Sequence, residues 1–184
     1  VVLKELGEHQ KAISCYKKAI QINPNYASAH YNLGIAFREL NDLKNAISFY
    51  EKAIQIKPNY SEAHHACGSV FKELGDFQKA INCFEQAVKF QPDNLAYFYP
   101  LSDLKKEILN PNLRNSIEKI INDNNCIKKN MAFGNFLLSR YQSEEKNYEK
   151  EIDYLIKGHE YYFEFKKEKF TRQLKYWFDF LPNI

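Results

Sequence analysis

The chain has 184 residues, 45% hydrophobic and 27% charged, the composition of a folded globular protein rather than a disordered one. Lys and Arg number 26 against 23 Asp and Glu, and this small interspersed excess argues against a dedicated nucleic-acid or membrane-surface binder. Six Gly and six Pro leave room for few loops, so helix is expected throughout, and no stretch approaches the roughly 18 apolar residues of a membrane span.

The chain opens on Val1 inside a helix-like stretch. Residues 1–6 and 8–22 read as the stub and second helix of a cut helix pair, so a leader upstream would lie out of sight. Residues 27–40 set Leu33, Ala36, Phe37 and Leu40 on one face at helical spacing. A turn at Asn41-Asp42 follows, with Asp42 suited to cap the next helix. Residues 43–56 carry a second stripe, Ala46, Ile47, Tyr50, Ala53 and Ile54, which Pro58 stops. The order then returns 34 residues on: Gly34 with Gly68, Phe37 with Phe71, Ala46 with Ala80, Tyr50 with Phe84, Ala53 with Ala87. Pro24, Pro58 and Pro92 keep the same step. Such a period marks stacked helical pairs, none of which can bury its stripe alone. The small residues let paired helices approach, and the aromatics at 37, 50, 71 and 84 fill the space between units.

These positions resemble the tetratricopeptide repeat. Leu33, Gly34, Phe37, Ala46, Tyr50, Ala53 and Pro58 match in one unit; Gly68, Phe71, Ala80, Phe84, Ala87 and Pro92 match in the next. Cys67 stands where Leu is usual, and His30 and His64 stand where the family often has Trp. The resemblance covers residues 1–94 and implies an all-α, right-handed solenoid of antiparallel helix pairs. Residues 95–163 are then divergent pairs: 94–109 (Phe98, Leu101, Leu104) with 113–124, and 127–143 with 148–163. Pro100 is unusual there unless it lies in the first turn. Residues 164–184, with Phe165, Phe170, Leu174, Tyr176, Trp177, Phe178, Phe180 and Leu181 among Lys166, Lys167, Lys169, Arg172 and Lys175, read as a further amphipathic helix that caps the stack or links onward.

In this family the first helices line a concave groove that takes a peptide or a partner's segment. The resemblance thus implies a protein or peptide partner and a groove lined by Ser28, Tyr31, Asn32, Ile35, Arg38 and Glu39 in one unit. The next unit supplies Glu62, His65, Ala66, Ser69, Lys72 and Glu73. Asn32 can grip a peptide backbone with both halves of its amide, and Tyr31 offers a flat contact of low entropy cost. The competing reading is a merely solvated helix face. One subfamily clamps a C-terminal carboxylate with Lys, Asn and Arg. Here Glu62 and Ala66, or Ala96 and Pro100 a unit later, stand where the basic residues belong, so that clamp is not expected.

No catalytic motif emerges: the chain lacks a Gly-rich phosphate loop, G-x-S-x-G and H-E-x-x-H, and neither enzyme activity nor a cofactor is expected. His64 and His65 point about 100° apart on a helix and cannot chelate together, so no metal is expected either. Cys15, Cys67, Cys83 and Cys126 lie far apart with no C-x-x-C and read as free thiols of a cytoplasmic protein. The aromatic-basic tail raises two further arrangements, a homodimer in which it fills a neighbour's groove and stacking on nucleic acid, but Glu164, Glu168 and Asp179 break the basic run. A weaker resemblance, over residues 95–181 and without a diagnostic motif, is to the repeat region of bacterial proteins fused to a sulfotransferase domain. It implies the alternative of a non-catalytic, substrate-recognising arm of a larger sulfotransferase-like or glycosyltransferase-like enzyme.

Overall fold

The computed structural model describes the backbone of residues 2–180 and the side chains of residues 9–168. The chain divides into two compact units, residues 1–92 and 93–184. Among the described residues every regular element is helical.

The first unit holds α1 (Val2–Ile22), α2 (Ala27–Glu39), α3 (Leu43–Ile56), α4 (Ser61–Glu73) and α5 (Phe77–Phe90). Each of α2–α3 and α4–α5 is a tightly packed pair, and α1 against α2 and α3 against α4 join the pairs. Their turns share one design. The helix ends on a residue in the left-handed region, Asn41 (φ 59°) or Gly75 (φ 77°). The amide after it reaches back five residues, Asp42 N to Phe37 O at 2.8 Å and Asp76 N to Phe71 O at 2.9 Å, which satisfies a last-turn carbonyl. The same aspartates then cap the next helix, accepting from Asn45 N at 3.2 Å and Lys79 N at 3.3 Å. Hydrogen bonds from Asn45, and from Lys79, hold the two carboxyls below the usual aspartate range.

Glycine sets the distance between the paired helices. A methyl group added to Gly34 would lie 2.5 Å from the Tyr50 ring, and one added to Gly68 would lie 2.9 Å from the Phe84 ring. Both rings are fully buried, as are Leu33, Ala46, Ala53, Val70, Ala80 and Ala87. His30 and His64 repeat a second device. Each is buried and donates from Nε2 to the carbonyl of the proline six residues earlier, Pro24 at 3.0 Å and Pro58 at 2.8 Å. The histidine thereby ties each first helix to the turn before it, and the same His64 nitrogen is committed to that bond rather than open to a ligand.

The second unit holds α6 (Leu95–Leu104), a 3-10 turn (Lys106–Ile108), α7 (Pro111–Ile121), α8 (Lys128–Glu144) and α9 (Tyr148–Phe180). Here α8 is central: α6, α7 and α9 all pack on it, and it is buried from Ala132 to Ser139 except at Phe133. The α8–α9 turn copies the earlier design, with Lys146 at φ 57°, Asn147 N bonded to Gln142 O at 2.9 Å, and Asn147 capping Lys150 N at 3.3 Å. The close contact is reversed, however: the glycine, Gly158, lies on the second helix and the ring, Phe136, on the first.

Two expectations are corrected. Pro100 sits inside α6 rather than in its first turn. Arg140 of α8 holds that end of the helix, donating to Tyr99 O at 3.1 Å, to Ser102 Oγ and to Asp103, with its guanidinium 4.1 Å over the Tyr99 ring. The backbone also runs unbroken through residues 163–164, so the C-terminal segment continues α9 instead of starting a new helix. The tail side chains from Phe170 to Leu181 lie outside the described residues.

Two predictions follow from the pairs. Gly34→Ala must push a fully buried ring aside and should lower unfolding free energy by about 1–3 kcal/mol in urea titration; an unchanged midpoint would show that Tyr50 yields freely. The caps at Asp42 and Asp76, with carboxyls depressed in the folded state, add stability that is present above about pH 4 and lost as pH falls through the lower folded values. Asp42→Asn with Asp76→Asn keeps a cap but removes the charge, so the double variant should show a shallower loss of stability between about pH 5 and pH 2.

Candidate functional site

The residues expected to line a groove fall on α2 and α4, which lie close together in the first unit. Arg38 near the end of α2 makes an ion pair with Glu73 at the end of α4, so the two first helices present these residues side by side at the surface. Glu39 is paired in turn with His9 of α1, Nδ1 to Oε2 at 3.0 Å. Glu62 accepts from Ser61 Oγ at 3.0 Å.

Tyr31 is the aromatic centre of this face. Its ring packs against Tyr50 at 5.8 Å and Tyr60 at 5.1 Å, and the Lys57 ammonium lies 4.7 Å over Tyr60. Burial pushes the Tyr50 hydroxyl above the usual tyrosine range, which suits an anchoring ring and not a titrating one. Beside Tyr31, Asn32 is half-buried, and its amide makes no hydrogen bond to another described residue. Ile35 and Ser28 are half-buried as well. On α4, His65 packs on Phe84 at 5.5 Å, and Ser69 spends its hydroxyl on His65 O at 2.9 Å within the helix. Lys72 is half-exposed, whereas Ala66 is buried and offers almost no surface.

The face is therefore apolar at its centre, at Tyr31 and Ile35, and edged by charges that are mostly matched with one another. Clefts lie elsewhere. One of about 460 Å³ is on the α2–α3 pair among His30, Ser48, Phe49, Glu51, Lys52 and Gln55. Another, of about 560 Å³ in the second unit, is lined by Ile120, Cys126 and Ile127 with Asp93, Lys119 and Asp123. Among the described residues no three His, Cys, Asp or Glu side chains gather as metal ligands would, and no helix is long and apolar enough to cross a membrane.

Sequence reasoning overlooked Tyr60 and His9. Tyr60 was detectable, since Tyr26 and Tyr60 are 34 residues apart and each precedes a first helix. His9 was not, because its pairing with Glu39 depends on how α1 docks. Another surface emerged on α9: Tyr148, Ile152, Ile156 and Phe163 are all more than half exposed along one side of the helix.

Comparison with known proteins gives the same architecture. Models of the tetratricopeptide repeat match at residues 2–38, 27–60 and 61–94. The crystal structure of MamA superposes with a TM-score of 0.57 at 19% identity, over 90% of this chain and 94% of that one. The first TPR of Spaghetti (RPAP3), bound to the HSP90 peptide SRMEEVD, superposes with a TM-score of 0.52 at 21% identity, over 58% of this chain and 84% of that one. At these identities both show the fold alone. No curated protein matches the chain.

Proposed function

We propose that this chain, which belongs to the tetratricopeptide-repeat family, is an interaction scaffold whose α2–α4 face binds an extended segment of a partner protein. It does no chemistry of its own. The observation that carries this reading is the Asn32 amide, left without a partner among the described residues beside the Tyr31 ring on a part-apolar surface. A free amide can accept from one backbone N–H of a peptide and donate to its C=O, while Tyr31 and Ile35 take an apolar side chain.

The peptide named for RPAP3 ends in an acidic carboxyl-terminal run. In this chain Glu62 and Ala66 occupy the places where such a run would need bases, and Arg38 is already matched by Glu73. The partner segment is therefore expected to be internal and weakly charged. The test is selection of binders from a random-peptide display library on the immobilised chain. Asn32→Ala with Ile35→Glu should weaken the selected peptide at least about tenfold at unchanged melting temperature, with Lys52→Ala on α3 as the silent control. SRMEEVD should bind no better than a scrambled peptide. Equal affinity in the double variant would remove the face from consideration.

The exposed stripe of α9 favours a second, compatible reading, a homodimer. A second copy suits it because the helix is electrically polar in sequence: residues 148–163 carry four acids and two bases, residues 164–180 five bases and three acids. Antiparallel pairing of two α9 helices sets unlike halves together and covers Ile152, Ile156 and Phe163, as a twofold contact requires. Sedimentation equilibrium should show a dimer that Ile156→Glu with Phe163→Glu converts to monomer; a monomeric wild-type chain at about 100 μM would end this reading.

A further inference from the structure

The cleft of about 460 Å³ on the α2–α3 pair falls within the roughly 300–1,000 Å³ of small-molecule sites. His30, only 6% exposed, forms part of its wall. The ring spends Nε2 on Pro24 O at 3.0 Å, which places its proton there and leaves a bare lone pair on Nδ1. That buried Nδ1 has no hydrogen-bond partner, and a buried acceptor is costly to leave unmatched. Phe49 supplies the apolar part of the wall, with its ring 6.2 Å from His30 and stacked on Phe37 at 5.3 Å.

The charges of the cleft do not neutralise each other. Glu51 and Lys52 are consecutive on α3, where side chains point about 100° apart and do not meet. The Glu51 carboxylate and the Ser48 hydroxyl make no hydrogen bond or ion pair with another described residue. The Lys52 ammonium donates to Gln55 Oε1 at 2.9 Å, and its other N–H groups have no partner among the described residues. In the sister hairpin α4–α5 the places of Glu51, Lys52 and Gln55 hold Glu85, Gln86 and Lys89. Acid and base there stand four residues apart, the spacing at which such a pair faces on a helix. In α2–α3 the base is shifted off that row, so the acid and the base are each left open to a ligand.

We propose that this cleft is a binding site for a free α-amino acid with an apolar side chain. Its ammonium donates to the Glu51 carboxylate and to His30 Nδ1, and its carboxylate accepts from Lys52 and Ser48. The side chain lies against Phe49. A compound carrying only one of the two charges satisfies half of the cleft. The site is distinct from the α2–α4 face, since Ser48, Phe49, Glu51 and Lys52 all stand on α3.

The test is a ligand-observed NMR titration of the full wild-type chain with leucine, methionine and phenylalanine, repeated for the tightest of them with blocked derivatives. At least one of the three should bind, at one site per chain. Its N-acetyl form, which lacks the ammonium, and its amide, which lacks the carboxylate, should each bind at least about tenfold more weakly. The N-trimethyl form keeps both charges but has no N–H to give. It should weaken by a similar factor, which probes the His30 acceptor without altering a buried residue. Glu51→Gln and Lys52→Ala should each weaken binding at least about tenfold at unchanged melting temperature, whereas Asn32→Ala with Ile35→Glu should leave it intact. No binding of any of the three at about 10 mM would overturn the proposal. Equal affinity for the blocked forms, or a loss confined to the Asn32 and Ile35 variant, would do the same.

Discussion

Where α2 meets α3, the Tyr50 ring lies against the backbone of Gly34, and nothing larger than hydrogen fits between them. The same contact recurs at Gly68 under Phe84 and, with the helices exchanged, at Gly158 over Phe136. An aromatic ring pressed on a bare stretch of helix brings two backbones together while burying a large apolar area. The left-handed turn residues and capping side chains then follow as requirements, because two helices held so near must be joined by a turn too short for any other conformation. Helix placement, and hence the surface each first helix presents, descends from this spacing.

That surface carries its charge in matched form. Arg38 with Glu73 and His9 with Glu39 bind neighbouring helices to each other and leave the aromatic and amide groups as the main offer to a partner. Exposed pairs of this kind contribute little to stability, so their stronger effect is on selectivity: a strongly charged segment would have to compete with an existing partner for each of them. Cross-helix pairing also explains why adding up charges along the chain says little about what this face prefers.

The repeat portion was largely legible in the residues themselves. The 34-residue step of Gly, Ala, aromatic and Pro located the helices of the first unit to within a few residues, and Asp42 was recognisable as a cap. The second unit was less so, since its stabilising contacts join residues far apart in sequence. Asn94 looks like the cap of α6, yet its side chain makes no capping bond; Asn130 of α8 instead accepts from Leu95 N at 3.2 Å and donates to Asp93 O at 2.8 Å. Arg140 likewise secures a proline-bearing helix from about 40 residues away. Of the groove residues, the sequence could name the helix positions, but the spent hydroxyl of Ser69 and the burial of Ala66 depend on how α4 is packed.

The sequence by itself determined which segments are helical, where the hairpin turns fall and which stripe of each helix is buried, because these follow from local periodicity and from small and large residues at a fixed step. Only the tertiary structure decided which polar groups remain available. It joined Arg38 to Glu73, left Asn32 without a partner among the described residues and exposed the apolar side of α9. The physical reason is that periodicity fixes a residue's angle around its own helix, whereas a hydrogen bond or ion pair also requires the distance to a second helix, and that distance is set by packing.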